Sequence, residues 1–362
     1  MKEPLDILFE LIREELWQSE VFDKQTTINT FPQILKLAGE QCVQGLVINS
    51  LFRRNADIGR NNVYKCLSVK QQIANSNKKL NDALEKLADV LNIHNIRYVV
   101  FKGQTAAAYY PDPSLRMPGD IDFYCADCDY LKAQDAITKD LGVTFDKRDI
   151  VDRHDSFNMD GVRFEMHYKM EILGSSNHQK HYDNIMTGAV SSPLYLNFGK
   201  TKVATLSPTF NVLHIFKHLF NHLLVEGVAL RQFCDLAIII GKTSDCIDVD
   251  LLEHSLKAIG YWKAFLASGA FVVKYLGLPT DKFPYSLSSK DFKWGERILT
   301  AILEHGNFGR YNRKRTNSRI LRSMETAKIA FGHCFTFFLL APSDIVFLVP
   351  KRISTTQRQY CR

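Results

Sequence analysis

The sequence predicts an α/β (α+β) protein: a small sheet-bearing core with flanking helices, inserted between N-terminal and C-terminal helical regions. Three observations predict it. Residues 1–95 repeat apolar side chains at helical spacing, residues 96–172 change to short β-branched and aromatic runs between turn residues, and helical spacing returns after Ser207-Pro208. In the first region Leu5, Ile7, Leu8, Leu11 and Ile12 form one pattern, and Pro32 opens another through Leu35, Leu37, Val43 and Val47. A third, from about Val63, ends with Leu80, Leu84, Leu87 and Leu91 on one stripe.

The central block starts with Arg97–Phe101, a strand running into a Lys102-Gly103 turn, followed by a short helix in Thr105–Tyr110 and a Pro-rich loop over 111–119. Ile121–Cys125 reads as a strand, and Asp129–Leu141 as a helix with Asp129 as its N-cap. His154–Met159 and Val162–Tyr168, joined by Asp160-Gly161, form the strongest hairpin signal. Helices are expected to about Val225, over 231–240, around 250–275 and over 290–304. The expected division is 1–95 helical, 96–172 core, 205–308 helical and 309–362 tail.

The 362 residues carry a formal charge of +7, unevenly spread. Eleven basic residues oppose Glu325 and Asp344 after Gly309, so the tail nets +9 and residues 1–308 net −2. This excludes a protein that coats a polyanion with its whole surface. Hydrophobic content of 46% and charged content of 23% exclude disordered and fibrous classes. Eight scattered cysteines form no disulfide framework, which fits reduced thiols and a cytoplasmic protein. Acids within the apolar pattern of the first 17 residues argue against a signal peptide, and Ala341-Pro-Ser-Asp344 interrupts the one long apolar stretch, so no transmembrane segment is expected.

The chemistry is expected at three places. Asp120 and Asp122 are two apart on a strand, so both carboxylates point to one face. Paired carboxylates can share two divalent ions about 3.5–4 Å apart, the arrangement used for in-line displacement at phosphorus. Glu165, between Phe164 and Met166, shares a face with Arg163 and His167 and can add a third oxygen from another strand. Lys102-Gly103 and Arg116 supply a turn and cations for phosphate.

This ordered set resembles the nucleotidyltransferase superfamily of the DNA polymerase β type, whose pattern is a strand, a Gly-rich turn, a helix, an h-Asp-h-Asp/Glu-h strand and a later acid. It is most similar to the uncharacterised bacterial nucleotidyltransferase-like family. The residues that carry the likeness are Phe101-Lys-Gly103, Arg116, Asp120-Ile-Asp122, Glu165-Met-His167, and His214, His218 and His222 leading into Leu230-Arg-Gln-Phe-Cys-Asp235. The closer likeness covers most of 30–310, the superfamily pattern about 97–170. It implies a nucleotidyltransferase core in which Asp120, Asp122 and Glu165 are catalytic and hold two Mg²⁺ ions, or Mn²⁺ in their place. Lys102, Gly103 and Arg116 would bind the nucleoside triphosphate, and His167, His222 and Arg231 would line a pocket for an unknown acceptor hydroxyl. The chain departs from the superfamily in having Gln104 where a phosphate-touching Ser usually follows the Gly.

Other features weigh less. His214, His218 and His222 fall on one helical face and read as a polar seam facing the cleft rather than a zinc site. Arg231 and Asp235 read as an i, i+4 structural pair, and Cys125-Ala-Asp-Cys128 as incidental. The bases of 310–322 and Lys351-Arg352 flank an apolar stretch; they read as a packed helix face or as contact of 310–352 with an anionic membrane surface. Tyr311 alone interrupts the bases, which argues against nucleic acid. Two alternatives to the enzyme are a catalytically weak binding module acting through the basic tail, and a glycosyltransferase using Asp120-Ile-Asp122; nothing in the latter calls for Glu165.

Overall fold

In the computed structural model, residues 3–19, 30–146, 154–225, 227–306 and 319–347 are described. Four helices come first: α1 (Pro4–Trp17), α2 (Phe31–Glu40), α3 (Gln44–Arg53) and the long α4 (Arg60–Ile93). The central block comprises β1 (Tyr98–Phe101), α5 (Gly103–Ala107), β2 (Ile121–Cys125), α6 (Tyr130–Leu141), β3 (His154–Met159) and β4 (Val162–His167). Then come α7 (Ser176–Ser191), β5 (Leu194–Phe198) and β6 (Thr201–Thr205). Six more helices follow among the described residues: α8 (Pro208–Val225), α9 (Leu230–Thr243), α10 (Val249–Ala258), α11 (Trp262–Leu276), α12 (Ser289–His305) and α13 (Arg319–Thr336).

The fold is the mixed α/β arrangement expected, a six-stranded sheet in the order β3-β4-β2-β1-β6-β5 flanked by helices. β1 runs antiparallel to β2 and parallel to β6, while β2 and β4 are parallel. The sheet reaches beyond residue 172, because β6 pairs with β1 at Val100↔Thr205. Leu194–Thr205 carries its own hairpin signal, two runs around Gly199-Lys200, with Gly199 at φ +57°.

Both faces of the sheet are covered, and strand alternation sorts the side chains between them. Tyr98, Val100, Ile121, Phe123, Phe164 and Met166 pack with Leu80, Leu84, Leu87 and Leu91 of α4 and with Ala133 and Ile137 of α6. Val99 and Phe101 belong instead to the larger core built from α1, α3, α8, α9 and α11. Thus α4 gives its first half to the helical region and its second half to the sheet: Cys66 lies in one core and Leu84 in the other. Gly45 lets α3 lie against the Pro-rich loop, since a Cβ there would meet the Leu115 carbonyl oxygen at 2.0 Å.

Asp129 does occupy the N-cap position of α6, but its side chain caps nothing. Its carboxylate accepts from the Arg97 backbone N–H at 3.2 Å and from Arg97 Nε at 2.9 Å, tying the helix start to β1.

The apolar C-terminal stretch packs in part. His333 donates toward the Leu223 carbonyl on α8, and Phe337, Leu340 and Ile345 are buried. Asp344 bonds the Tyr261 hydroxyl and accepts from the Ser175 backbone N–H at 3.0 Å. No helix among the described residues is long and apolar enough to cross a membrane. The basic side chains of 310–322 and 351–362 lie outside the described residues.

Candidate active site

The polar alternates of β2 and β4 meet on the face turned toward α8. Asp122 stands opposite Glu165 in the parallel register, with Ile121 opposite Phe164 and Phe123 opposite Met166 on the apolar positions between. Asp120 precedes the strand and is exposed at the mouth. These acids line a cleft of about 410 Å³ together with Lys102, Gly103, Arg116, His154, His218, His222 and Arg231. The structure therefore brings the expected residues to one place, apart from His167, which lies immediately beneath: its Nε2 is 2.9 Å from Asp122 Oδ1.

Lys102 is the cation closest to the acids. Its Nζ is 3.1 Å from Asp122 Oδ1 and 3.5 Å from His218 Nε2. Its backbone, at φ +61° and ψ −154°, occupies a region that is essentially glycine's, and such strain costs on the order of 1–3 kcal/mol. Gly103 follows at φ +41°, where a Cβ would come within 3.2 Å of the Asp120 carbonyl oxygen. The turn is thus shaped to put an ammonium against Asp122 while the chain passes close to Asp120. Gln104 donates to Asn81 Oδ1 of α4 at 2.5 Å, so it braces the turn from behind.

Arg116 departs from the expected phosphate contact. It is buried, and its Nε and Nη2 donate to the two carboxylate oxygens of Asp235, each at 2.8 Å. The Tyr110 hydroxyl donates to the same Asp235 at 2.7 Å. A buried guanidinium with a bidentate partner is a fastening for the loop, and its charge is already matched. This pairing also displaces the expected Arg231–Asp235 pair. Arg231 instead donates through Nη1 to the carbonyls of Met117 and Pro118, each at 3.2 Å, and so clamps the segment leading into Asp120. From the other side Asn77 of α4 donates to the Arg116 carbonyl at 2.8 Å and to that of Ser114 at 3.0 Å.

Of the histidine seam expected on α8, His218 and His222 line the cleft, whereas His214 does not reach it. His214 is fully buried against Phe101 and bonds the Tyr182 hydroxyl at 2.8 Å. His218 Nδ1 is 2.7 Å from the buried carboxylate of Glu171, and its Nε2 is 3.0 Å from His222 Nε2. Asn221 donates to the second Glu171 oxygen at 2.9 Å.

The electrostatics separate the three acids. Burial works to raise the Asp122 carboxyl, yet Lys102 and the His167 hydrogen bond hold it well below the usual carboxylate range. Asp120, at the mouth of the cleft, is pushed up chiefly by the charge of Asp122 beside it. Burial, then Asp122 and Asp120, push Glu165 up to about 7. Burial, Lys102 and His222 hold His218 well below its ordinary value, so it is a neutral hydrogen-bonding ring. The three acids thus resist joint ionisation; among the described residues the group of three potential ligands gathered within 4.8 Å is His154, Glu165 and His167, and not the expected Asp120, Asp122 and Glu165.

Residues 29–277 match the family described as uncharacterised nucleotidyltransferase. The chain belongs to that family. It is also similar in structure to an antigenic nucleotidyltransferase-like protein from Paracoccidioides brasiliensis, at 15% identity and a TM-score of 0.38, over 59% of this chain and 97% of that one. No curated protein matches the sequence. Within this nucleotidyltransferase-family protein, one cleft residue, His154, and two buried residues that support the cleft, Glu171 and Asn77, escape local sequence reasoning. His154 reaches the site because it lies opposite His167 across β3 and β4. Its place in the hairpin pattern, with the Asp160-Gly161 turn fixing the register, was the available signal. Glu171 and Asn77 had none, since each is recruited by a partner far along the chain.

Proposed function

We propose that the protein is a metal-dependent nucleotidyltransferase that moves a nucleoside monophosphate from a nucleoside triphosphate to an acceptor hydroxyl on a small molecule, a sugar or a protein. The observation that supports this best is the register that sets Asp122 opposite Glu165, two residues after Asp120, on the wall of a cleft holding Lys102. Asp120, Asp122 and Glu165 would hold Mg²⁺, or Mn²⁺ in its place. Such ions, when bound, supply electrostatic stabilisation of the phosphoryl oxygens and favour the ionised acceptor.

Lys102 binds phosphate oxygens at the turn beside Gly103. Arg116 and Arg231 hold the 116–119 loop, Arg231 and His222 bound the acceptor side, and His167, buried beneath the cleft, supports Asp122 instead. Glu165, poised near 7, takes the acceptor proton. The acceptor oxygen bonds to the α-phosphorus as the bond from that phosphorus to the α,β-bridging oxygen breaks, and pyrophosphate leaves with that electron pair. The test is the purified chain with each nucleoside triphosphate and Mg²⁺ or Mn²⁺, with and without cell extract, followed by pyrophosphate release and thermal shift. The expected result is a metal-dependent shift and turnover, both lost in Asp120→Ala and Asp122→Ala. A shift that survives both substitutions overturns the reading.

We also propose that the protein works in the cytoplasm at the surface of an anionic bilayer. The supporting observation is the outer face of the C-terminal segment, where Phe331 and Phe335 are 69% and 82% exposed and Leu339 and Phe347 are exposed beside them. The surrounding sequence is strongly basic, which matches anionic headgroups. Phe331→Ser/Phe335→Ser should lose cosedimentation with phosphatidylserine vesicles while neutral vesicles retain neither protein. Self-association through these side chains in solution, abolished by the same change, would assign the face to a second copy instead.

A further inference from the structure

Beside the two aspartates, the sheet gathers a group of different chemistry. His154 and His167 face each other across the antiparallel β3–β4 pair, and Glu165 lies two residues before His167 on the same face. His154 Nδ1 is 3.5 Å from Glu165 Oε2, and His167 Nε2 is 3.8 Å from that same oxygen. One donor atom from each of the three lies within 4.8 Å of the others. Around a tetrahedral ion with bonds near 2.1 Å, neighbouring donors sit about 3.4 Å apart, so closure asks for a small inward movement of the rings.

We propose that His154, Glu165 and His167 form a mixed nitrogen–oxygen site for a divalent transition ion of the Zn²⁺, Co²⁺ or Mn²⁺ class. It adjoins the all-oxygen position at Asp120 and Asp122 and shares Glu165 with it. Three features support a site rather than a chance grouping. The donors come from two adjacent strands, whose ladder fixes their spacing. His167 is packed against the Phe101 ring, with centroids 5.3 Å apart, which fixes the plane of the imidazole; its Nε2, now 2.9 Å from Asp122 Oδ1, would exchange that contact for the ion. His154 and Glu165 line the cleft, so an ion has a route in and keeps positions open toward bound phosphate or acceptor. Two imidazoles favour a transition ion over Mg²⁺, which prefers oxygen and gives up water reluctantly.

This placement divides the acid constellation by chemistry. Asp120 belongs to the oxygen position alone, whereas His154 belongs to the mixed position alone. The two can therefore be separated by substitution, and the mixed site does not depend on nucleotide transfer being the reaction.

The experiment is titration of the full chain, stripped of metal with a chelator and dialysed, with Co²⁺ under reducing conditions, read by visible absorption and by thermal shift. One equivalent should give a ligand-field band and raise the melting temperature, and a hundredfold excess of Mg²⁺ should leave the band in place. His154→Ala should weaken Co²⁺ binding at least tenfold, and His154→Gln should do the same while keeping the side chain's bulk at the rim of the cleft. Asp120→Ala should keep the band while losing any nucleotide-dependent shift, which distinguishes this site from the transferase reading. No band in the native protein, a band unchanged in both His154 variants, or its displacement by equimolar Mg²⁺ would each overturn the proposal.

Discussion

On one face of the sheet, Ile121, Phe123, Phe164 and Met166 pack beneath α4 and α6; on the other, Asp122, Glu165 and His167 alternate with them along the same strands and meet α8. The first face holds the sheet together by burial that any apolar side chain of the right volume can supply. The second places acids, a lysine and imidazoles where water is largely excluded, and each must find a partner or resist ionisation. One backbone thus carries both a packing surface and a reactive one, separated by a single residue step. A shift of register by one residue would exchange them.

The largest expected effect tests that separation. Phe164→Ala on the packing face should lose about 3–5 kcal/mol of stability, measured by denaturant unfolding. Metal- and nucleotide-dependent shifts should persist in the folded fraction at low temperature; their loss would show that the faces are coupled. The next falls at the edge of the reactive face. Arg231→Met leaves the Met117 and Pro118 carbonyls without their donor, at a cost of about 1–3 kcal/mol. Because the clamp positions Asp120, KM for the metal–nucleotide complex should rise more than stability falls. Equal effects on both would reduce Arg231 to a structural tie.

The smallest expected effect concerns pH. Glu165 has an ordinary value near 4.5 that is pushed up to about 7 in the folded protein. Its protonated form is therefore the one the fold favours: that stability is fully present below about 4.5 and lost as pH rises through about 7. Glu165→Gln should leave the melting temperature of the metal-free protein unchanged near pH 4.5 and raise it relative to the native chain at pH 8. Asp122 has the opposite sign, since its carboxyl is held low and its stabilisation is present at neutral pH and lost in acid. A Gln variant no more stable than the native chain at pH 8 would show that Glu165 ionises there without penalty.

Much of this arrangement was legible in the chain. Residues two apart in a strand share a face, so Asp120-Ile-Asp122 and Glu165-Met-His167 announced polar positions between apolar ones, and Asp160-Gly161 announced the hairpin. The leucine stripe of α4 announced its apolar face by the helical period in the same way. The sequence by itself determined the alternation, the order of elements and the acids of the cleft, because these depend on local periodicity and turn chemistry. Only the tertiary structure decided who partners whom. Arg116 could have met a phosphate, and Arg231 could have met Asp235 four residues on; the fold gives Asp235 to Arg116 across 119 positions and turns Arg231 to the loop. It likewise brings Glu171 to His218, β6 to β1, and His154 beside Glu165. Such contacts follow from how separate elements pack, and a buried charge accepts whichever partner that packing delivers.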